Sequence, residues 1–135
     1  MKRMTVPVSE YTSEEIAMVS PDALIFDVYT EMHELGIRHV PVVKDGTPVG
    51  IISDRDIPLA AFGAEGNDIL ACQVMSPAPF SIGKETAIGL VAYEMSSKKI
   101  GSALVLNDDG SLYGIFTTTD ALNALVELFH ESKNF

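Results

Sequence analysis

Two short segments set side chains at a spacing that can do chemistry. Ser53-Asp54-Arg55-Asp56 follows Gly50-Ile51-Ile52, and Thr117-Thr118-Thr119-Asp120 follows Gly114-Ile115-Phe116. Each places a hydroxyl three residues before a carboxylate, where an apolar run gives way to a helical segment. Free backbone N–H groups and the helix dipole at such a start favour an anion. The hydroxyl of Ser53 or Thr117 can donate to a phosphate. A carboxylate one turn on, Asp56 or Asp120, can accept from two adjacent ribose hydroxyls, as an acidic residue does in dinucleotide folds. Arg55 adds a guanidinium suited to phosphate. The same spacing has a plainer meaning: Ser or Thr with an acid three residues on caps a helix without any ligand. A single copy would be read as a cap. Two copies, each after Gly-Ile, are not isolated matches.

The elements that must position these groups are also duplicated. An offset of 63 lays TEMHELGIRHVPVV, from Thr30, on YEMSSKKIGSALVL, from Tyr93. After one extra residue in the second turn the offset becomes 64, and Gly50-Ile51 meets Gly114-Ile115 while Asp56 meets Asp120. Each half opens on a short apolar stretch, IAMVS or PFSI. A helical segment follows, from about Pro21 to Leu35 in one copy and from about Lys84 to Ser97 in the other; Ala23, Phe26, Val28, Met32 and Leu35 lie near helical spacing. Two strands come next, RHVPVV and PVGIIS, joined through Asp45-Gly46, a strong hairpin signal. Their counterparts SALVLN and LYGIFT are joined through Asn107-Asp108-Asp109-Gly110. A closing helix ends each half, DIPLAAF or DALNALVELFHE. The expected fold is therefore α/β, two strand-helix-strand-strand-helix repeats over residues 1–64 and 65–135. One repeat has too little core to stand alone, so the two should pack together. Residues 63–73 are expected to be a short connection.

Composition narrows the function. The 135 residues are 47% hydrophobic and 21% charged, a globular balance, with a formal net charge of −10. That charge opposes binding to nucleic acid, which needs a basic surface, and to an anionic membrane. Cys72, the one cysteine, cannot form an internal disulfide. No apolar run has signal-peptide or membrane-spanning length, so a cytoplasmic location is expected.

The repeated unit, with Gly-Ile-Arg-His-Val-Pro-Val-Val in its strand and Gly-aliphatic-aliphatic-[Ser/Thr]-x-x-Asp after its hairpin, resembles the CBS domain. The openings VSPDALIFDVYTEM and VMSPAPFSIGKETAIGLVAYEM are similar to that family's start. The resemblance runs from about Val8 to Leu128 and describes a tandem pair, a Bateman module. It implies two repeats packed through their small sheets with clefts between them, binding AMP, ADP, ATP, S-adenosylmethionine or a related adenosyl compound, with no cofactor required. Carried over, Asp56 and Asp120 would hold ribose, and Ser53 and Thr117 would touch ribose or α-phosphate. Ile37, Arg38 and His39, with Ile100, Gly101 and Ser102, fall where base or phosphates are contacted. Backbone at Ala17-Met18 and Phe80-Ser81 would meet the adenine edge. The copies are unequal: Arg38 and Arg55 stand opposite Gly101 and Thr119, so the first set suits phosphate better, although Lys98 or Lys99 offers compensating charge. The resemblance also implies a homodimer, an unidentified regulated protein, and no catalysis. The rival reading is a structural dimerisation module with vestigial clefts.

Other residues read more plainly. His33, His39 and His130 have no metal-ligand spacing; His39 is expected at the cleft or strand edge and His33 in solvent. Met4, Met18, Met32, Met75 and Met95 read as core filler, Glu14-Glu15 as a solvated start. Leu122, Leu125, Val126, Leu128 and Phe129 read mostly as core packing of a last helix, Ala121 to Glu131, in a stripe broad enough to bury a partner surface as well.

Overall fold

The computed structural model describes residues 5–14, 17–57 and 68–131. The expected boundary at 64/65, the body of the closing helix DIPLAAF, Met4 and Glu15 lie outside them. The fold is mixed α/β with two three-stranded sheets. It divides into two compact units, one built on residues 17–79 and the other on residues 80–131 together with residues 5–14.

In the first unit α1 (Ile25–Leu35) is followed by β1 (His39–Lys44) and β2 (Thr47–Ser53), then α2 (Ala71–Val74) and β3 (Ser76–Pro77). The second unit holds β4 (Ser81–Gly83), α3 (Ile88–Lys98), β5 (Ser102–Leu106), β6 (Leu112–Thr117) and α4 (Thr118–Glu131). Both long early helices start about one turn later than the periodicity indicates, because the residues before them form turns and an isolated bridge. The β1–β2 turn has Asp45 at φ 53° and Gly46 at φ 82°, two successive positive values that match the right-handed twist of the strands.

The repeat is written into the register. β1–β2 pairs His39 with Ser53, Val40 with Ile52, Pro41 with Ile51 and Val42 with Gly50, then shifts by a bulge. β5–β6 pairs Ser102 with Thr117, Ala103 with Phe116, Leu104 with Ile115 and Val105 with Gly114, then shifts at the equivalent place. On the other edge of β1, Val19 bridges Val42 in parallel, as Ile82 bridges Val105 within β4–β5.

The offset also reaches back into segments that had read as a start and a connection. Residues 5–14 repeat residues 68–77, and each segment packs on the half that does not follow it. Ile25 N–H donates to Ile69 O at 2.8 Å, and Ile88 N–H to Val6 O at 2.8 Å. Ala71 N–H donates to Ala23 O at 2.7 Å, and Val8 N–H to Thr86 O at 2.8 Å. Leu24 bridges Leu70, and Pro7 bridges Ala87. Ser76 pairs with Ile51 on the edge of β2, as Ser13 does with Ile115 on the edge of β6. Residues 68–74 are thus a packed part of the first unit, with Ala71 fully buried. Val8 plays the same part in the second, and Glu14, although exposed, hydrogen-bonds Tyr113.

Each unit has its own core. Val19, Ile25, Val28, Met32, Val40, Val42, Ile52, Ile57 and Ala71 form one. Val8, Ile88, Val91, Met95, Ala103, Val105, Phe116 and Ala124 form the other. Burial of apolar area of this kind is the main favourable contribution to folding. Several sequence expectations change here. Met32 and Met95 are core residues, but Met18 is exposed, as are Phe26 and Leu35 on α1. On α4 the inward line runs through half-buried Ala121, buried Ala124 and half-buried Leu128, spaced three and four apart. Leu122, Leu125, Val126 and Phe129 therefore turn outward and are exposed.

Candidate functional site

In the first unit the hairpin brings the start of β1 beside the end of β2. His39 lies opposite Ser53, and Arg38 O accepts the Asp54 N–H at 2.9 Å. Asp54–Asp56 then forms one turn of 3-10 helix, anchored by buried Ile57. Ser53 and Asp56 make a reciprocal capping box in which Ser53 N–H donates to Asp56 Oδ2 at 3.1 Å. Arg38 and Arg55 are exposed and His39 is half-buried. Burial lowers the His39 pKa from its ordinary 6.5, the Asp54 and Asp56 carboxylates oppose the shift, and Arg38 and Arg55 reinforce it. Five charged or titratable side chains thus share one corner.

The second unit repeats the corner with different side chains. Ser102 lies opposite Thr117. Gly101 O accepts the Thr118 N–H at 3.1 Å and the Thr118 hydroxyl at 3.4 Å. Asp120 Oδ2 accepts the Thr117 N–H at 2.9 Å and the Thr117 hydroxyl at 3.1 Å, while Asp120 N–H reaches Thr117 Oγ1 at 3.4 Å. In both units the acid caps the turn through Oδ2. In neither does Oδ1 accept a hydrogen bond among the described residues. Capping therefore uses one carboxylate oxygen in each unit and does not engage the other.

The remaining expected residues gather at the same end of each sheet. Val19 N–H donates to Pro41 O at 3.0 Å, which sets Ala17 and Met18 alongside the first half of β1. Leu104 N–H donates to Phe80 O at 2.9 Å, and Ser81 pairs with Leu104. Ala17 and Ile37 pack on the first core, Phe80 and Ile100 on the second, and each is only partly buried. Thr119 is exposed on the first turn of α4. Lys98 is engaged locally: its Nζ lies 2.8 Å from Glu94 and 5.7 Å from the Phe80 ring centroid.

Two contributors escaped the sequence reading, Asp54 beside His39 and the Thr118 hydroxyl on Gly101. Their signal was adjacency to the Ser/Thr-x-x-Asp turns. His33 is exposed and stacked on Tyr29 at 6.0 Å. A hollow of about 340 Å³ lined by Ser20, Pro21, Asp22, Val43, Lys44 and Asp45 lies at the other end of β1 and includes none of the expected site residues. Among the described residues no helix is long and apolar enough to cross a membrane.

The family model of the CBS domain matches residues 8–60 and 71–127. The chain belongs to the CBS-domain family. It is a tandem CBS pair, as its register repeats require. An uncharacterized protein of Methanopyrus kandleri is 27% identical over 121 residues, which cover 87% of this chain and 62% of that relative. The chain thus spans less than two thirds of that relative's length. Among solved structures, a putative acetoin utilization protein (AcuB) from Vibrio cholerae superposes with a TM-score of 0.85 at 25% identity, covering 97% of this chain and 98% of its own. The CBS-pair protein CBSX2, solved in complex with AMP, gives a TM-score of 0.81 at 22% identity, covering 91% and 98%.

Proposed function

We propose that this CBS pair is a regulatory module that binds an adenosine-containing ligand, AMP, ADP, ATP or an S-adenosylmethionine-like compound, and performs no chemistry of its own. The observation that carries the reading is the duplicated turn, in which Asp56 and Asp120 each cap the backbone through Oδ2; in this reading Oδ1 accepts from a ribose hydroxyl. The AMP bound to the similar CBSX2 pair supports it. In this reading Ser53 and Thr117 sit at the ribose or α-phosphate, Arg38, Arg55 and His39 face phosphate, and Ile100, Gly101, Ser102 and Thr119 form a less charged counterpart. Ala17-Met18 and Phe80-Ser81 offer backbone to the base. The module acts in the cytoplasm as a homodimer and passes a ligand-dependent change to a partner protein.

Calorimetry with AMP, ATP, S-adenosylmethionine and GMP tests the ligand class, with adenosyl compounds expected to bind and GMP to bind less. Asp56→Asn and Asp120→Asn keep the shape of the cap, since Asn suits a helix start nearly as well. Each is expected to weaken binding at its own site by about 1–3 kcal/mol, with little change in unliganded stability. The observed capping bonds favour one other reading, the structural dimerisation module. Loss of stability in both variants with affinity intact would decide for it.

A further inference from the structure

The first unit's corner holds something its counterpart lacks. His39 is a titratable group placed opposite Ser53, at the position where the second unit has Ser102. The charged groups facing it are Arg38, immediately before its strand, and Asp54, Arg55 and Asp56 from the turn after β2. The segment on the other edge of β1 brings Ala17 and Met18, which carry no charge. We infer that His39 gates phosphate at this corner, so that the first unit takes a phosphate-bearing ligand with uptake of a proton and the second unit does not. This rests on the reading of the corner as a nucleotide site.

The physical case has three parts. First, without ligand the imidazole is biased toward its neutral form, mainly by burial and secondarily by the two guanidinium groups, against the pull of Asp54 and Asp56. Neutral imidazole has one N–H donor, imidazolium two. Second, a phosphate carries close to two negative charges at neutral pH. Drawn between Arg38 and Arg55, it cancels the repulsion they exert on an imidazolium and adds attraction of its own. Third, a protonated His39 then donates a charge-assisted hydrogen bond, stronger than a neutral one. No step needs a co-reactant, because the proton comes from solvent. In the second unit Gly101, Ser102 and Thr119 stand where Arg38, His39 and Arg55 do, and none of them titrates near neutrality.

The test uses the full chain and AMP, by calorimetry at pH 7 in two buffers of different ionisation enthalpy. The unsubstituted protein is expected to take up a fraction of a proton on binding AMP and none on binding adenosine. It should also bind AMP roughly tenfold more tightly at pH 6 than at pH 8, the size of one charge-assisted hydrogen bond. His39→Gln should abolish that uptake, and His39→Asn should do the same if the first variant folds poorly. The phosphate's own titration is common to all three proteins, so the difference isolates the histidine. Equal uptake in the variants and the unsubstituted protein overturns the inference and leaves the nucleotide reading intact. Absence of AMP binding at every pH overturns both.

Discussion

In the first unit a histidine, two arginines and two aspartates meet where β1 begins and β2 ends. In the second, the same backbone positions carry Ser102, Gly101, Thr119, Thr118 and Asp120. The hydrogen-bond register around them is the same, down to the bulge. Backbone pairing depends on strand length and turn geometry and is indifferent to the charge of an exposed side chain, so it survives the change of side chains between the units. The acids recur in both units because each caps the turn that follows its strand, while the arginine side chains make no such backbone contact among the described residues. The two units thus separate what the fold demands from what the site adds.

The largest expected effect comes from the crossed segments. A chain beginning at Ala17 lacks Val8, which is fully buried in the second unit. It also lacks the backbone bonds Val8–Thr86, Ser9–Lys84, Ile88–Val6 and the reciprocal pair Ser13–Ile115. At about 1 kcal/mol per bond and about 1.5–3 for the valine, the loss is comparable to the whole stability of a small domain. Hydrogen exchange should show the amides of β5 and β6 losing protection while β1 and β2 keep theirs. Equal protection in both sheets would mean that residues 5–14 lie on the unit without holding it together.

Next in size is a contrast between two equivalent glycines. A Cβ on Gly114 would collide with the backbone O of Ser13 and come within 2.6 Å of Thr12 Cγ2. For a Cβ on Gly50 the nearest atoms all belong to the Met75 side chain, which it would overlap at Sδ and approach to 2.8 Å at Cγ. A flexible thioether moves aside more cheaply than a paired backbone carbonyl. Gly114→Ala should therefore cost about 3 kcal/mol and Gly50→Ala about 1, measured by urea denaturation.

Much of this was legible in the sequence. The offset of 63, then 64, located both hairpins and both Ser/Thr-x-x-Asp turns, because these elements are long and keep their apolar pattern. The crossed segments were not seen, since VPVSEYTSE and ILACQVMSP share one identical residue, Ser13 with Ser76. Val6 with Ile69 and Val8 with Ala71 were the remaining signal, and carrying the offset backwards would have found it. The exposed faces of α1 and α4 were misjudged because apolar residues there are dense all round. Periodicity marks a buried face only when the opposite face is polar. At the site, the sequence held both meanings of the acid, and the structure shows the capping one, made through Oδ2 in both units.

A smaller effect is expected where the long helices end. Gly36 stops α1 at φ 66°, and its equivalent Lys99 stops α3 at φ 56°. The left-handed region costs a residue with a Cβ roughly 1 kcal/mol that glycine avoids. Lys99→Gly should stabilise the second unit by about that amount, and Gly36→Ala should destabilise the first by as much. Denaturation midpoints moving in the same direction would remove the equivalence between the two caps.

The smallest effect is a pH slope confined to the unliganded first unit. Burial holds the folded pKa of His39 below 6.5, its ordinary value. As pH falls through 6.5 the unfolded chain therefore binds a proton before the folded unit does, and the contribution to stability declines. That contribution is complete above pH 6.5 and is lost between 6.5 and the lower folded value. The sign is opposite to that expected when phosphate is bound, since the ligand favours the imidazolium. His39→Ser, which copies Ser102, should flatten the slope between pH 5.5 and 7.5 by about its full extent, set by the shift itself. Melting curves of both proteins across that range, with and without AMP, provide the measurement. A slope that survives the substitution would assign it to groups other than His39 and remove this difference between the two units.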